Sequence, residues 1–146
     1  METRYEVREG ETMNIILGGY ILGMDSERQQ LPTITDPNYD SVKEALLSLK
    51  KSNGVIGLRL QPEPESGPYE LMMYSDSGQF LIMLNEYDDD GDSNVRTVNQ
   101  SISDKELIPI MGDFYSANTI TRDFEFVCSI FEEFINTGNV SEQLMC

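Results

Sequence analysis

The sequence predicts an α+β fold, a mainly antiparallel sheet of about 5–6 strands packed against two main helices. Three observations predict it. From Tyr69 to Asn85 two apolar runs flank the short turn Ser75-Asp76-Ser77-Gly78, the pattern of a β-hairpin. Two other segments repeat apolar residues at helical spacing, one through Val42, Ala45, Leu46 and Leu49, the other through Phe124, Val127, Phe131 and Phe134. The length of 146 residues suits a single core, and a chain of that size buries roughly 68–70% of its unfolded surface.

Each element follows in chain order. Met1 to Thr12 carry Glu2, Glu6, Glu9 and Glu11 beside Arg4 and Arg8, with only Tyr5 and Val7 alternating. They read equally as an N-terminal extension, an edge strand or an upstream start, so the α+β domain is placed at residues 13–146. The apolar run from Met13 to Leu22 reads as a buried strand that bends at Gly18-Gly19. A loop from Asp25 to Thr35 follows. Asp36-Pro37 then offers an N-cap and a first-turn proline for a helix that Asn53-Gly54 ends. Val55 to Leu60 reads as a strand stopped by the breaker-rich stretch Gln61 to Pro68.

Within the hairpin, the run Phe80-Leu81-Ile82-Met83-Leu84 lacks alternation, which predicts a central strand with both faces covered. After the loop from Glu86 to Ser93, Asn94 to Asn99 have the β-branched content of a strand that pairs back on the hairpin. Arg96 inside it needs a carboxylate partner if buried, and Asp113 is the expected one, in a structural role. Leu107 to Tyr115 reads as one short strand broken by Pro109 and Gly112. The second helix runs from about Thr121 to Thr137, starting at Thr121 or Asp123 and ending at Gly138. Phe126 and Ile130 widen its apolar stripe, which must lie on the sheet. Asn139 to Cys146 adds one turn from Ser141. Cys128 belongs to the core and Cys146 is incidental, with no disulfide framework or metal-ligand spacing.

Composition narrows function. The 26 acidic residues against 10 basic ones leave a formal charge of −16. That field repels nucleic acid and anionic membrane and attracts a cationic partner, although acidity also serves solubility alone. The chain has no histidine, which removes Ser-His-Asp triads, Cys-His dyads and histidine-ligated zinc. The acids left for catalysis are Asp113, Asp123, Glu132 and Glu133, with Tyr115 or Lys105 to assist, and nothing pairs them. Glu132 and Glu133 read as solubilising charges. Gly18-Gly19 lacks the further glycines and lysine of a phosphate loop. The expectation is no enzyme, no cofactor and no metal. No apolar run approaches the roughly 20 residues that cross a bilayer, and the expected compartment is the cytoplasm.

Two acidic segments are the candidate binding residues. Glu86, Asp88, Asp89, Asp90 and Asp92 crowd one loop. With Gly91 at the sixth position of an EF-hand frame the twelfth becomes Thr97 instead of glutamate, so calcium is poorly served. A solvated loop and a docking patch both remain. Glu63 and Glu65 sit between prolines on a semi-rigid backbone, as a linker or as a second patch.

The order of local signatures adds a resemblance: Leu17-Gly18-Gly19-Tyr20, Asp36-Pro37, Gly67-Pro68, Gly78 to Leu81, Val95-Arg96-Thr97, Gly112-Asp113-Phe114 and Thr137-Gly138-Asn139-Val140-Ser141. From about Met13 to Leu144 the chain resembles a family of small bacterial proteins of formerly unknown function. Some of them are immunity proteins paired with toxins of contact-dependent growth inhibition systems. The resemblance implies a cytoplasmic protein that binds a cognate toxin, often a nuclease with a basic surface, and covers that surface with carboxylates. The rival expectations are a regulatory or scaffold module and a carboxylate-based metal-binding or hydrolytic protein.

Overall fold

The computed structural model describes residues 13–23, 25, 27–99 and 106–146. The expected extension at 1–12, and Lys105, lie outside them. The chain lays down β1 (Asn14–Leu22), β2 (Arg28–Gln30), β3 (Ile34–Thr35), α1 (Tyr39–Leu49), β4 (Asn53–Gln61), β5 (Gly67–Asp76) and β6 (Gln79–Tyr87). Then come β7 (Ser93–Thr97), β8 (Leu107–Ile110), β9 (Asp113–Ser116), a 3-10 turn at Ala117–Thr119, β10 (Ile120–Thr121) and α2 (Phe124–Thr137).

The fold is α+β, with an antiparallel sheet and, among the described residues, two α-helices. Its main path is β10-β6-β5-β4-β1-β2, with β3 added to β1 and β7 added to β6. Among the described residues the sheet has eight strands, and β8–β9 form a separate two-stranded ribbon. This exceeds the expected 5–6 because β2, β3 and β10 are only two or three residues long. Such pieces have no apolar alternation to read. They become strands by pairing with β1 or β6, so the expected Asp25–Thr35 loop contains two edge strands.

Local chemistry explains the boundaries. Asn38, rather than Asp36, caps α1: its Oδ1 accepts from the Ser41 N–H at 2.8 Å. Asp36 instead exchanges bonds with β1, accepting from Ile15 N–H at 2.9 Å through its side chain and donating its own N–H to Ile15 O at 2.6 Å. At the far end of α1, buried Ser75 donates to the carbonyls of Leu49 and Ser52, each at 2.9 Å. The β5–β6 turn is only Ser77-Gly78, with φ of 53° and 77°, a left-handed pair that suits a tight hairpin. Met111-Gly112, φ 52° and 97°, does the same between β8 and β9. The segment expected as one broken strand is thus a hairpin.

For α2, Asp123 accepts from Phe126 N–H at 3.2 Å and left-handed Gly138 donates to Phe134 O at 2.7 Å. Both helices cover one sheet face. Val42, Leu46 and Leu49 of α1 and Val127, Phe131 and Phe134 of α2 pack on Ile15, Leu17, Ile56, Leu58, Leu71 and Ile82. Each fully buried side chain of this size contributes about 1.5–3 kcal/mol. On the other face Leu81 meets Ile110 and Ile120 beneath the β8–β9 ribbon. Hence β6 has both faces covered, as its unbroken apolar run predicts. Cys128 is buried in the core and Cys146 is exposed, neither in a disulfide. Among the described residues no helix is long and apolar enough to cross a membrane.

Candidate partner-binding surface

Strand register decides where the acidic segments meet. Gly67 opens β5 opposite Tyr87 at the end of β6, and Tyr87 is also opposite Ser93 at the start of β7. The connections 62–66 and 88–92 therefore emerge at the same end of the sheet. A β-bulge between Pro68 and Glu70 inserts Tyr69 as an unmatched residue. It stacks on Tyr87, with ring centroids 4.3 Å apart and planes 18° from parallel. Tyr87 Oη donates to Glu63 Oε2 at 2.7 Å, while Tyr69 Oη and Ser93 Oγ lie 2.8 Å apart. One glutamate of the Pro/Glu segment is thereby tied to the hairpin end.

The loop is organised by its first carboxylate. Asp88 Oδ1 accepts from the backbone N–H of Asp90 at 2.9 Å and of Asp92 at 3.0 Å, and Oδ2 from Asn94 Nδ2 at 3.3 Å. The N–H of Asp92 is the largest cause holding the Asp88 carboxyl below its usual range; desolvation opposes it, and the donors at Asp90, Asn94 and Gly91 add to it. Asp89, Asp90 and Asp92 are exposed, as are Glu63 and Glu65. The hydrogen bond to the Glu63 carboxylate is the first cause that pushes the Tyr87 phenol up to about 12, with desolvation second.

Glu86 does not join this group. It stands on the helix-facing side of β6, its Oε1 2.6 Å from Arg96 Nε. The Arg96 guanidinium also donates to Val140 O at 3.0 Å and Met145 O at 3.3 Å, and it contacts Asn139 Oδ1. Arg96 has the structural role expected, with Glu86 and not Asp113 as partner, because Leu84 opposite Arg96 aims that position at the helix side. The segment it holds makes the expected turn at Ser141, whose carbonyl accepts from Leu144 and Met145 at 3.0 Å each.

The conceivable catalytic acids stay apart. Asp113 is exposed beside the ribbon turn, Asp123 caps α2 and Glu132 is exposed. Glu133, expected as a solubilising charge, accepts from Ser141 N–H at 2.5 Å. Tyr115 packs into the small apolar cluster under the ribbon. Among the described residues no group of three or more acidic or cysteine side chains is arranged to hold a metal ion.

Sequence reasoning missed the tyrosine stack and the exposed apolar side chains Val95, Leu107 and Phe114. Counting register outward from Ser77-Gly78 sets Tyr69 opposite Glu86, on the face away from Tyr87, and only the bulge reverses this. A concavity of about 410 Å³ lies between the ribbon and the outer sheet face. Tyr20, Tyr74, Tyr115 and Asp113 line it, and Arg28 sits 4.3 Å over the Tyr20 ring.

Fold and surface define a class: an α+β protein whose eight-stranded antiparallel sheet is backed by two helices on one face and ends in paired acidic loops. The chain belongs to the family of unknown function DUF6911, whose model matches residues 14–144. It is similar to a hypothetical protein from Neisseria gonorrhoeae known from its crystal structure, at 27% identity and a TM-score of 0.83, over 94% of this chain and 96% of that one. No curated protein matches the chain significantly.

Proposed function

We propose that the protein is an immunity protein: it binds a cognate bacterial toxin in the cytoplasm and neutralises it, with the anionic end of the sheet facing a basic surface of a nuclease domain. The observation that carries the reading is the convergence of the 62–66 and 88–92 segments around stacked Tyr69 and Tyr87. Exposed Glu63, Glu65, Asp89, Asp90 and Asp92 surround an aromatic pair there. Charge of one sign steers encounter and raises association rates by roughly 10–10³, whereas amphipathic tyrosines supply anchoring area. Carboxylates on such a surface stand where the phosphates of a nucleic acid substrate would lie. In this reading the protein turns over no substrate and needs no cofactor.

The test is whether a toxin with a basic C-terminal domain is encoded directly upstream, then co-expression with that domain and association kinetics. A stable complex is expected. Asp89, Asp90 and Asp92 changed together to Lys should slow association at least tenfold at low salt, less at high salt. Asp88 is left intact because it organises the loop. Failure to form a complex, or unchanged kinetics for the triple variant, removes this surface from the proposal.

A further inference from the structure

We propose that the outer edge of β7 takes up an extended, lysine- or arginine-bearing segment of the partner protein as an added antiparallel strand. The inference rests on the reading of the sheet end as a surface for a basic protein, and it names how that protein is held.

The edge is defined by hydrogen bonds already made. Thr97 N–H donates to Cys146 O at 3.3 Å and Cys146 N–H returns to Thr97 O at 3.2 Å. Such a two-way exchange is an antiparallel bridge, and it sits on the side of β7 away from β6. Backbone groups on alternate residues of a strand point the same way. The N–H and C=O of Val95 and Ser93 therefore point outward too, while Arg96 and Asn94 turn inward to Leu84 and Glu86. Val95 is 53% exposed and Ser93 is exposed. The single bridge at Cys146 shows that this edge accepts a strand in that orientation.

Natural edges are commonly guarded by proline, lysine, a bulge or an inward-pointing charge. β7 reads Ser-Asn-Val-Arg-Thr; its one inward-pointing charge, Arg96, is already paired with Glu86 and bonded to the carbonyls of Val140 and Met145, so a strand added at Ser93 and Val95 leaves no charge newly unpaired. Among the described residues, the outward edge at Ser93 and Val95 is left with a β-branched side chain and polar backbone that no strand pairs. Open edges of this kind are used for recognition by strand addition, in which main-chain bonds give affinity and alternate side chains give specificity.

Charge selects the occupant. Exposed Asp89, Asp90 and Asp92 stand immediately before β7, and the whole chain carries −16. A second copy would bring like charges together along the edge. A basic segment meets opposite charge, and its side chains on the outer face would lie beside Val95 and Ser93, next to stacked Tyr69 and Tyr87. The fitting sequence alternates cations with small or β-branched residues.

The probes are two blocked hexapeptides, KTKVKT and ETEVET, titrated at low salt into the isotope-labelled full chain and followed by amide exchange. KTKVKT should bind saturably and slow exchange at Ser93 and Val95 at least tenfold, and ETEVET should not bind. Val95→Pro deletes an outward N–H while keeping the bonds to β6, a placement proline tolerates on edge strands. It should weaken KTKVKT roughly tenfold or more. The triple lysine variant at Asp89, Asp90 and Asp92 should prefer ETEVET. If Val95→Pro does not fold, the wild-type exchange pattern decides. No KTKVKT binding, unslowed Ser93 and Val95 amides, or full binding by a folded Val95→Pro each overturn strand addition while leaving the anionic surface to its own kinetic test. Equal binding of both peptides along β7 overturns the basic occupant and counts against the proposed function, with the edge itself retained.

Discussion

Nε of Arg96 lies 2.6 Å from Oε1 of Glu86, and the same guanidinium donates to the carbonyls of Val140 and Met145. One cation from β7 thus joins the end of β6 to the segment that follows α2. The Nε contact is an ion pair by distance, without the angle of a hydrogen bond.

Replacing Arg96 by Met strands a half-buried carboxylate and frees two carbonyls at once. Broken buried pairs cost more than surface ones, and the partial exposure here, 15% and 28% of the two side chains, reduces the figure. The expected loss is about 2–3 kcal/mol in urea unfolding. Glu86→Gln should cost less because the carbonyl bonds persist. Equal stability of Arg96→Met and the wild type would show that the segment after α2 holds itself.

The Tyr87 phenol, pushed up to about 12 by Glu63, links the binding surface to alkaline pH. An acid whose folded pKa exceeds its unfolded value holds its proton better when folded. The stabilisation is complete below the ordinary value of 10.0 and disappears as pH rises through about 12. Tyr39 is also pushed to about 12, by burial first and by neighbouring Cys128 second. NMR titration of labelled tyrosine Cζ should show Glu63→Gln bringing Tyr87 down toward 10.0 and leaving Tyr39 where it is. A shift of both, or of neither, contradicts the assigned causes.

Neighbouring glycines in β1 should respond unequally. A Cβ on Gly19 would stand 2.2 Å from Val55 O, a backbone atom, whereas one on Gly18 meets nothing within 4 Å. Gly19→Ala is expected to cost about 2–3 kcal/mol, as overpacking does, because the β1–β4 ladder must shift. Gly18→Ala should change thermal stability little. Similar melting temperatures for the two variants would mean that the ladder yields more easily than its geometry implies.

Asp88 organises the acidic loop, while its exposed neighbours only charge it. Asp88→Ala should speed amide exchange at Asp90 and Asp92, Asp88→Asn should largely preserve it, and Asp89→Ala should do nothing. The carboxyl is held below the ordinary 3.8, so these bonds are intact above that value and are lost as pH falls through the lower folded value. Loop amides insensitive to both Asp88→Ala and acid would assign the turn to Gly91 and the backbone alone.

Much of the fold was legible where one local signal sufficed. The apolar stripe of α2 and its Gly138 end, a hairpin turning between Ser75 and Gly78, and the doubly covered run from Phe80 to Leu84 all follow from residue spacing, whereas the structure chose Asp123 over Thr121 as the cap and narrowed the turn to Ser77-Gly78. Asp36 misled because a carboxylate before a helix is a good cap by type, yet its side chain is committed to Ile15 across the sheet. β2 and β3 were invisible because their pairing partner, β1, supplies all their order. Among the candidate binding residues, sequence identified the carboxylates but could not separate Glu86, committed to Arg96, and Asp88, committed to its loop, from those that face solvent.

The residues alone determined the fold class, the anionic balance and the absence of imidazole chemistry, since each depends on composition or on periodicity within one segment. Tertiary structure decided which charges share a surface, which carboxylate meets Arg96 and which side of β7 is bridged by Cys146. These depend on register and on a single bulge at Tyr69, that is, on hydrogen bonds between segments far apart in the chain.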